Sequence, residues 1–362
     1  MIRIDEIYSG VFAPAIARLD GARSLHWFDP FGSTSWQDLV TEPAIAAGDV
    51  RYVFWDQEPM TETVFDQFMT QFREPFGRQW NPDVRVIVSE QDSELVESVS
   101  ARWNLRSHYY WFHGWAALDW YRGYNRSGLG TEPESRAIAR TFVAPNRIIG
   151  GARQHRLEIL YWIFRQGLHA TNWVSCPAVC PAEHATVASL TAPLRAVYPD
   201  IATVYDRVTL PINMPGETEH PMTSCWLDLW PQVEQSLVYV VTETVADGHR
   251  QHLTEKIFKP ICQQIPFVLV GTSGALAYLR SYGFQTFDRL WDESYDAEPD
   301  RARRVEKIGK LLGRLNRLTQ AEQQSLYEQA IPIVRHNYDH FYSGAFEQIL
   351  WDELCGMIKQ LE

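Results

Sequence analysis

Gln251-His252-Leu253-Thr254-Glu255-Lys256-Ile257-Phe258-Lys259-Pro260, running on to Ile265-Pro266-Phe267-Val268-Leu269-Val270-Gly271, decides how this chain is read. The order is a polar loop, a helix start, a short helix and a buried strand that ends in glycine. Thr254 is a good N-cap, because its hydroxyl accepts a hydrogen bond from one of the first unpaired helix N–H groups. Those N–H groups and the helix dipole attract an anion. Lys256 adds a full positive charge within the first turn, and Glu255 offers a carboxylate for sugar hydroxyls. Phosphate on the helix start and lysine, with ribose on the glutamate, would suit a sugar nucleotide. The duller reading of the same residues is a well-capped surface helix carrying one Glu-Lys pair.

Outward from this stretch the chain alternates strands and helices. Leu237-Val238-Tyr239-Val240-Val241 is a strand that ends at Thr242-Glu243-Thr244. After the Phe267–Val270 strand, a helix over 273–282 is closed by Gly283, and Thr319-Gln320-Ala321-Glu322 is a capping box that starts a helix running to about Arg335. Upstream, Val50–Trp55 and 84–88 read as buried strands, each followed by a helix, over 63–72 and 93–102. A strand at Thr141–Ala144 precedes a helix over 153–166 that Gly167 caps. The proline-rich middle, 176–230, has no clean period. Such alternation predicts an α/β fold with parallel sheet. The glycine-containing link Arg126–Pro133 suggests a boundary, giving an N-terminal domain over 1–135, a second over 136–342 and a C-terminal helix over 343–362.

Thr254-Glu255-Lys256 with His252 two positions earlier, followed by an apolar helix and Pro266-Phe267-Val268-Leu269-Val270-Gly271, resembles the donor-binding motif of the alpha-1,3-fucosyltransferase family. That family has Tyr-x-Thr-Glu-Lys after a strand ending in Glu-Asn-Ser. Here Glu243 takes the place of its glutamate, His252 replaces the tyrosine, and Thr244 follows Glu243 without the asparagine. Ala144-Pro145-Asn146, a glycine-containing loop and Arg153 resemble the family's Ser-Asn-loop-Arg segment, whose arginine contacts the donor diphosphate. The likeness covers about residues 140 to 300. Thr254-Glu255-Lys256 and Phe287-Asp288 through Asp292-Glu293-Ser294-Tyr295-Asp296 are also similar to glycosyltransferase-like proteins of bacteriophages. The resemblance implies a GT-B architecture, two Rossmann-like domains facing a cleft. It implies a glycosyltransferase that takes a sugar from a nucleoside diphosphate, GDP by the family's habit, with inversion. The fucosyltransferase likeness implies a glycan acceptor such as lipopolysaccharide. The phage likeness implies DNA modification, on a hydroxymethylated pyrimidine.

Sugar transfer needs charge to offset the departing diphosphate and a base for the attacking hydroxyl. Arg153, Lys256 and the helix start at Thr254 are candidates for the first task, with His155 and Arg156 as neighbours able to replace Arg153. Donor-binding candidates are therefore Arg153, Glu243, His252, Thr254, Glu255 and Lys256. For the base, Trp55-Asp56-Gln57-Glu58-Pro59 puts two carboxylates just after a buried strand. Glu58-Pro59 is similar to a shortened form of the family's Glu-Ser-Pro, which places Glu58 first and Asp56 second. His113, before Gly114 in the aromatic run Ser107–Trp115, is a rival at an expected strand end, while Trp111 and Phe112 read as core. An ordinary acidic turn accounts for Asp56 and Glu58 equally well.

Composition narrows the class. Five cysteines, an odd number, do not describe a disulfide scaffold, and Cys176 and Cys180 lack zinc-site partners. No apolar stretch approaches the roughly 20 residues that cross a bilayer, and the first residues have no signal design, which reads as a cytoplasmic protein. The net charge of −12 argues mildly against a nucleic-acid acceptor. The basic run Arg301–Arg317 reads as the solvated face of an amphipathic helix. No cofactor or metal is expected beyond the nucleotide-sugar co-substrate. A dehydrogenase lacks its Gly-x-Gly-x-x-Gly. A catalytically degenerate nucleotide- or glycan-binding module of the same fold is the alternative, kept open by His252 and the absent asparagine.

Overall fold

The computed structural model describes residues 4–15, 24–27, 50–55, 59–73, 85–124, 132–217 and 226–361. Contacts divide the chain into two units. Unit 1 comprises residues 1–119, 248–252 and 347–362, and unit 2 comprises 120–247 and 253–346. The sequence-predicted link lies outside the described residues except for Glu132 and Pro133.

Unit 1 is built on four parallel strands in sequential order, β1 (Ser24–Trp27), β2 (Val50–Trp55), β3 (Arg85–Val88) and β4 (Arg106–Tyr109). Register pairs Trp55 with Val88 and Val88 with Tyr109, so three strands end level. The period-2 side-chain alternation of β2 explains the packing. Val53 and Trp55 join a core with Phe65, Phe68 and Val96 from helices α1 (Glu62–Arg73) and α2 (Glu94–Trp103). Phe54 packs instead on Phe12 and Tyr110, with centroids 4.8 and 6.4 Å away. Ser93 caps α2, accepting from Val96 N. Helix α3 (Phe112–Tyr124) begins at the aromatic run. Trp111 and Phe112 are core as expected, but His113 lies in the first turn of α3, not at a strand end. Tyr110 N donates the last ladder bond to Val88 O before the chain turns into α3.

Unit 2 holds a second parallel sheet in the order β6-β5-β7-β8: β5 (Arg140–Ala144), β6 (Trp173–Val174), β7 (Ser236–Thr242) and β8 (Phe267–Val270). β7 and β8 are buried throughout, as continuous apolar runs between covered faces should be. Helix α4 (Gln154–Arg165) follows β5 and ends where Gly167 takes up the left-handed conformation, φ +69°. A 3₁₀ turn at Glu255–Ile257 leads into α5 (Phe258–Cys262), before β8. Helices α6 (Ala275–Ser281), α7 (Arg301–Asn316), α8 (Gln320–Tyr342) and α9 (Ala345–Leu361) complete the chain, α9 passing into unit 1. The Thr319–Glu322 capping box is formed in full. Helix α8 runs on to Tyr342, past the expected end near Arg335, with Pro332 inside it.

Helix α7 presents the basic run as a solvated face at Arg303, Lys307, Lys310, Arg314 and Arg317, which are exposed, and departs from that reading at Arg304 and Arg301. Arg304 is buried and donates to the carbonyls of Gly271, Pro299, Glu298 and Ala246. Arg301 grips the fully buried Glu158 of α4 with two bonds, of 3.0 and 2.8 Å, and pairs with Asp247. The helix comes close to α4 because Gly309 and Gly313 face Trp162 and Gln166. A Cβ on Gly309 would lie 2.5 Å from Trp162 Cβ.

Candidate functional site

In unit 2 the chain leaves β5 for β6 on one side, then returns to place β7 on the other. That reversal makes the β5–β7 boundary a topological switch point, where open α/β sheets hold ligands at their carboxyl ends. The loops that leave this edge are the two that the sequence singled out, the one opening with Pro145-Asn146 after β5 and Glu243-Thr244 after β7. Asn146 ties them together. Its backbone N–H donates to Ser175 Oγ, its Nδ2 to Ala144 O, and its Oδ1 accepts from Thr242 Oγ1.

Four cationic side chains, Arg147, Arg156, Lys256 and Lys259, line one cavity of about 100 Å³ along β7, together with two carboxylates, Glu217 and Asp228. Arg156, on the first turn of α4, donates to Ile148 O, Thr242 O and Glu243 O, and its Nε is buried with no partner among the described residues. Burial, and then the charge of Arg153, bring its pKa down to about 10. Lys259 is drawn down from the usual lysine value by burial, against the pull of Asp228 3.7 Å away. Lys256 Nζ lies 2.8 Å from Glu255 Oε1 and 3.3 Å from both Thr244 Oγ1 and Thr254 Oγ1. Its side chain keeps 28% exposure where that of Glu255 has 5%, so the lysine is the solvent-facing member of the pair.

Thr254 is the N-cap foreseen, accepting from Lys256 N. The helix it caps is short, as the sequence suggested, one 3₁₀ turn and five α residues, so its dipole is small and the local positive potential belongs to the side chains. Glu243 is wholly buried. Its Oε2 accepts from Thr254 N and Thr254 Oγ1, at 3.1 and 2.5 Å, while Oε1 has no partner among the described residues. Burial raises its pKa. Glu243 therefore braces the Thr254 turn, and Glu255, the carboxylate expected to hold ribose, is buried and paired with Lys256. Arg153 occupies the 3₁₀ turn that opens α4, half-buried, and it does not line the cavity; Arg156, one turn on, does. Glu158, on the same helix, is held by Arg301. His155 is fully buried and donates from Nε2 to Glu243 O, 2.9 Å. Burial lowers its pKa to about 3, so it is neutral and no substitute for a phosphate-binding cation.

His252 does not group with these residues. It lies in unit 1, where Nδ1 donates to Ser89 O at 3.1 Å and its ring meets His113 edge-on at 5.2 Å. Both rings are buried. The cluster sits at the carboxyl ends of β3 and β4. Beside it Glu90, which the sequence did not single out, accepts from Met60 N, Ser93 Oγ and Arg250. Burial raises the Glu90 pKa despite Arg250. Asp56 and Glu58 lie outside the described residues. The Asp292–Asp296 element proves structural: Asp296 accepts from Leu276 N and Ala277 N and so caps α6, and Glu293 accepts from Phe287 N.

Sequence reasoning also missed Arg147, Lys259, Glu217 and Asp228. Arg147 directly follows the Ala144-Pro145-Asn146 match and Lys259 lies three residues past Lys256, both findable as cations near a motif. Glu217 and Asp228 carry no local signal. Among the described residues, no group of three or more His, Cys, Asp or Glu could hold a metal ion, and no helix is long and apolar enough to cross a membrane. Comparison of the chain with protein-family models, with curated proteins and with solved structures finds no match.

Proposed function

We propose that this chain is a glycosyltransferase that moves a sugar from a nucleoside diphosphate to a hydroxyl acceptor. The observation that carries the reading is the convergence of Arg147, Arg156, Lys256 and Lys259 on one cavity beside the β5–β7 switch point. Four cations against two carboxylates leave an excess of positive charge where an α/β sheet receives phosphates. In direct displacement the acceptor oxygen attacks the anomeric carbon as the bond to the β-phosphate oxygen breaks. The acceptor proton passes to a base, and the departing diphosphate gains negative charge. Lys256, partly exposed, and Arg147 meet that charge; Arg156, tied to backbone carbonyls, shapes the pocket and adds its field. The reading brings with it the GT-B arrangement, with unit 2 holding the donor and unit 1 the acceptor and base. A cytoplasmic location is part of this proposal, and among the described residues no helix is long and apolar enough to cross a membrane. The acceptor is a glycan hydroxyl or a hydroxymethylated pyrimidine in DNA, and transfer assays with both decide between them.

A panel of nucleotide sugars tests the proposal, because a bound donor raises the melting temperature by mass action. Lys256→Met should lower kcat/KM for donor hydrolysis or transfer about 100-fold, the equivalent of losing about 3 kcal/mol of leaving-group stabilisation. Full activity in that variant with the true donor refutes the assignment. The second reading is a binding module of the same fold without turnover. It is favoured by the internal engagement of Glu243 Oε2 with Thr254 N and Oγ1, which turns these two motif residues toward each other. A donor that binds and is neither hydrolysed nor transferred would establish it.

A further inference from the structure

The two carboxylates that line the cationic cavity are held in different ways. Glu217 is anchored: Oε1 accepts from Ser175 Oγ at 2.7 Å and Oε2 from Met214 N at 3.2 Å. Asp228, among the described residues, uses its carboxylate on Lys259 alone, at 3.7 Å. That separation is longer than a hydrogen bond, so the contact is one of charge and opens without a hydrogen bond being lost. Little water reaches it, since the side chains are 11% exposed for Lys259 and 21% for Asp228. The backbone around Asp228 is tied down. Gln263 Nε2 donates to Asp228 O at 2.7 Å, and Trp230 Nε1 to Leu227 O at 3.0 Å. Between these ties Leu229 has φ +60°, a left-handed conformation that is costly for a residue with a Cβ. Such strain persists where the surroundings over-determine it, and it gathers at ligand clamps and switch segments.

We infer that Asp228 is a built-in competitor for the cationic cavity: its carboxylate stands on Lys259 where a phosphate oxygen would bind, and a phosphoanion enters by displacing it. The inference rests on the phosphate reading of this cavity given above and adds a restraint to it. Lys259 needs a counter-ion, because burial draws its pKa down and an unpaired lysine there would shed its proton. Asp228 keeps it charged until a phosphate arrives. The phosphate offers several acceptor oxygens at full hydrogen-bond length, so it is the stronger partner. Because Asp228 must be moved aside, the anion binds less tightly than four cations alone would hold it, and a departing diphosphate is not trapped. Glu217, fixed by Ser175 and Met214, has no such freedom.

Calorimetric titration with inorganic pyrophosphate tests the inference without any sugar, base or acceptor. Asp228→Asn should bind pyrophosphate at least tenfold more tightly than the wild-type chain. In a Lys259→Met background the same substitution should tighten binding no more than about twofold, because the contested cation is gone. In crystals of the wild-type chain grown with pyrophosphate, Lys259 Nζ should bond a phosphate oxygen and Asp228 should lie beyond ion-pair distance from it. Equal or weaker binding by Asp228→Asn, or a gain that survives Lys259→Met undiminished, would overturn the competitor role and leave the donor reading standing. A crystal complex in which Asp228 stays on Lys259 beside the bound anion would do the same, whether or not Asp228→Asn folds. Pyrophosphate that binds neither the wild type nor Asp228→Asn would overturn both readings.

Discussion

Acid should destabilise this protein through one buried imidazole at the edge of the site. His155 has no exposed surface, and its Nε2–H donates to the carbonyl of Glu243. Burial first, and then the charge of Arg156, bring its pKa from 6.5 to about 3. In the unfolded chain the ring protonates as pH falls through about 6.5, whereas in the folded chain it stays neutral, so the unfolded state takes up the proton. The stability contributed by neutral His155 is thus complete above pH 6.5 and is lost progressively below it. At about 1.36 kcal/mol per pH unit, the loss on going from pH 7.5 to 5 is roughly 2 kcal/mol. Glu158, Glu217 and Glu243, whose pKa values burial raises, act with the opposite sign, favouring the fold as pH falls toward their usual value of 4.5. A variant comparison isolates the histidine. His155→Gln retains a donor for Glu243 O and has no proton to gain. Between pH 7.5 and 5, denaturant unfolding should cost the wild type about 2 kcal/mol more stability than it costs His155→Gln. In histidine-labelled protein the His155 ring should keep its Nε2–H tautomer at pH 5. Parallel pH dependence in the two proteins, or titration of His155 near 6.5, would refute the reasoning.

Two helical glycines, Gly309 where α7 meets α4 and Gly356 in α9, should respond in opposite ways to a methyl group. Gly309→Ala should destabilise by about 2 kcal/mol, because its Cβ would meet Trp162 Cβ at 2.5 Å, whereas Gly356→Ala, with nothing within 4 Å, should stabilise by about 0.5–1 kcal/mol in thermal melts. Arg304→Met removes the shared donor from four carbonyls in a buried place, and unfolding free energy should fall by about 3 kcal/mol or more. Glu322→Ala breaks one arm of the capping box that starts α8, which should cost about 0.5–2 kcal/mol without changing nucleotide binding.

Signals confined to a few neighbouring residues are legible in the amino-acid sequence itself. Apolar runs at 50–55, 237–241 and 267–270 are strands, and the Thr254 and Thr319 caps and the Gly167 stop stand where their side chains or lack of one require. Capping hydrogen bonds and side-chain alternation operate over one turn or one strand, so the sequence alone determines them, and with them the α/β class. Tertiary structure decided what depends on distant partners. The order β6-β5-β7-β8, and so the switch point, follows from which strand edges pair. Arg156 reaches the cavity that Arg153 does not line, because one helical turn carries it toward the carboxyl end of β7. Glu243 is spent on the Thr254 turn, His252 lies in unit 1, and Glu217 and Asp228 join cations more than 25 residues away in the chain. A charged side chain's role is fixed by its burial and its neighbours in space, and neither is written in the residues beside it.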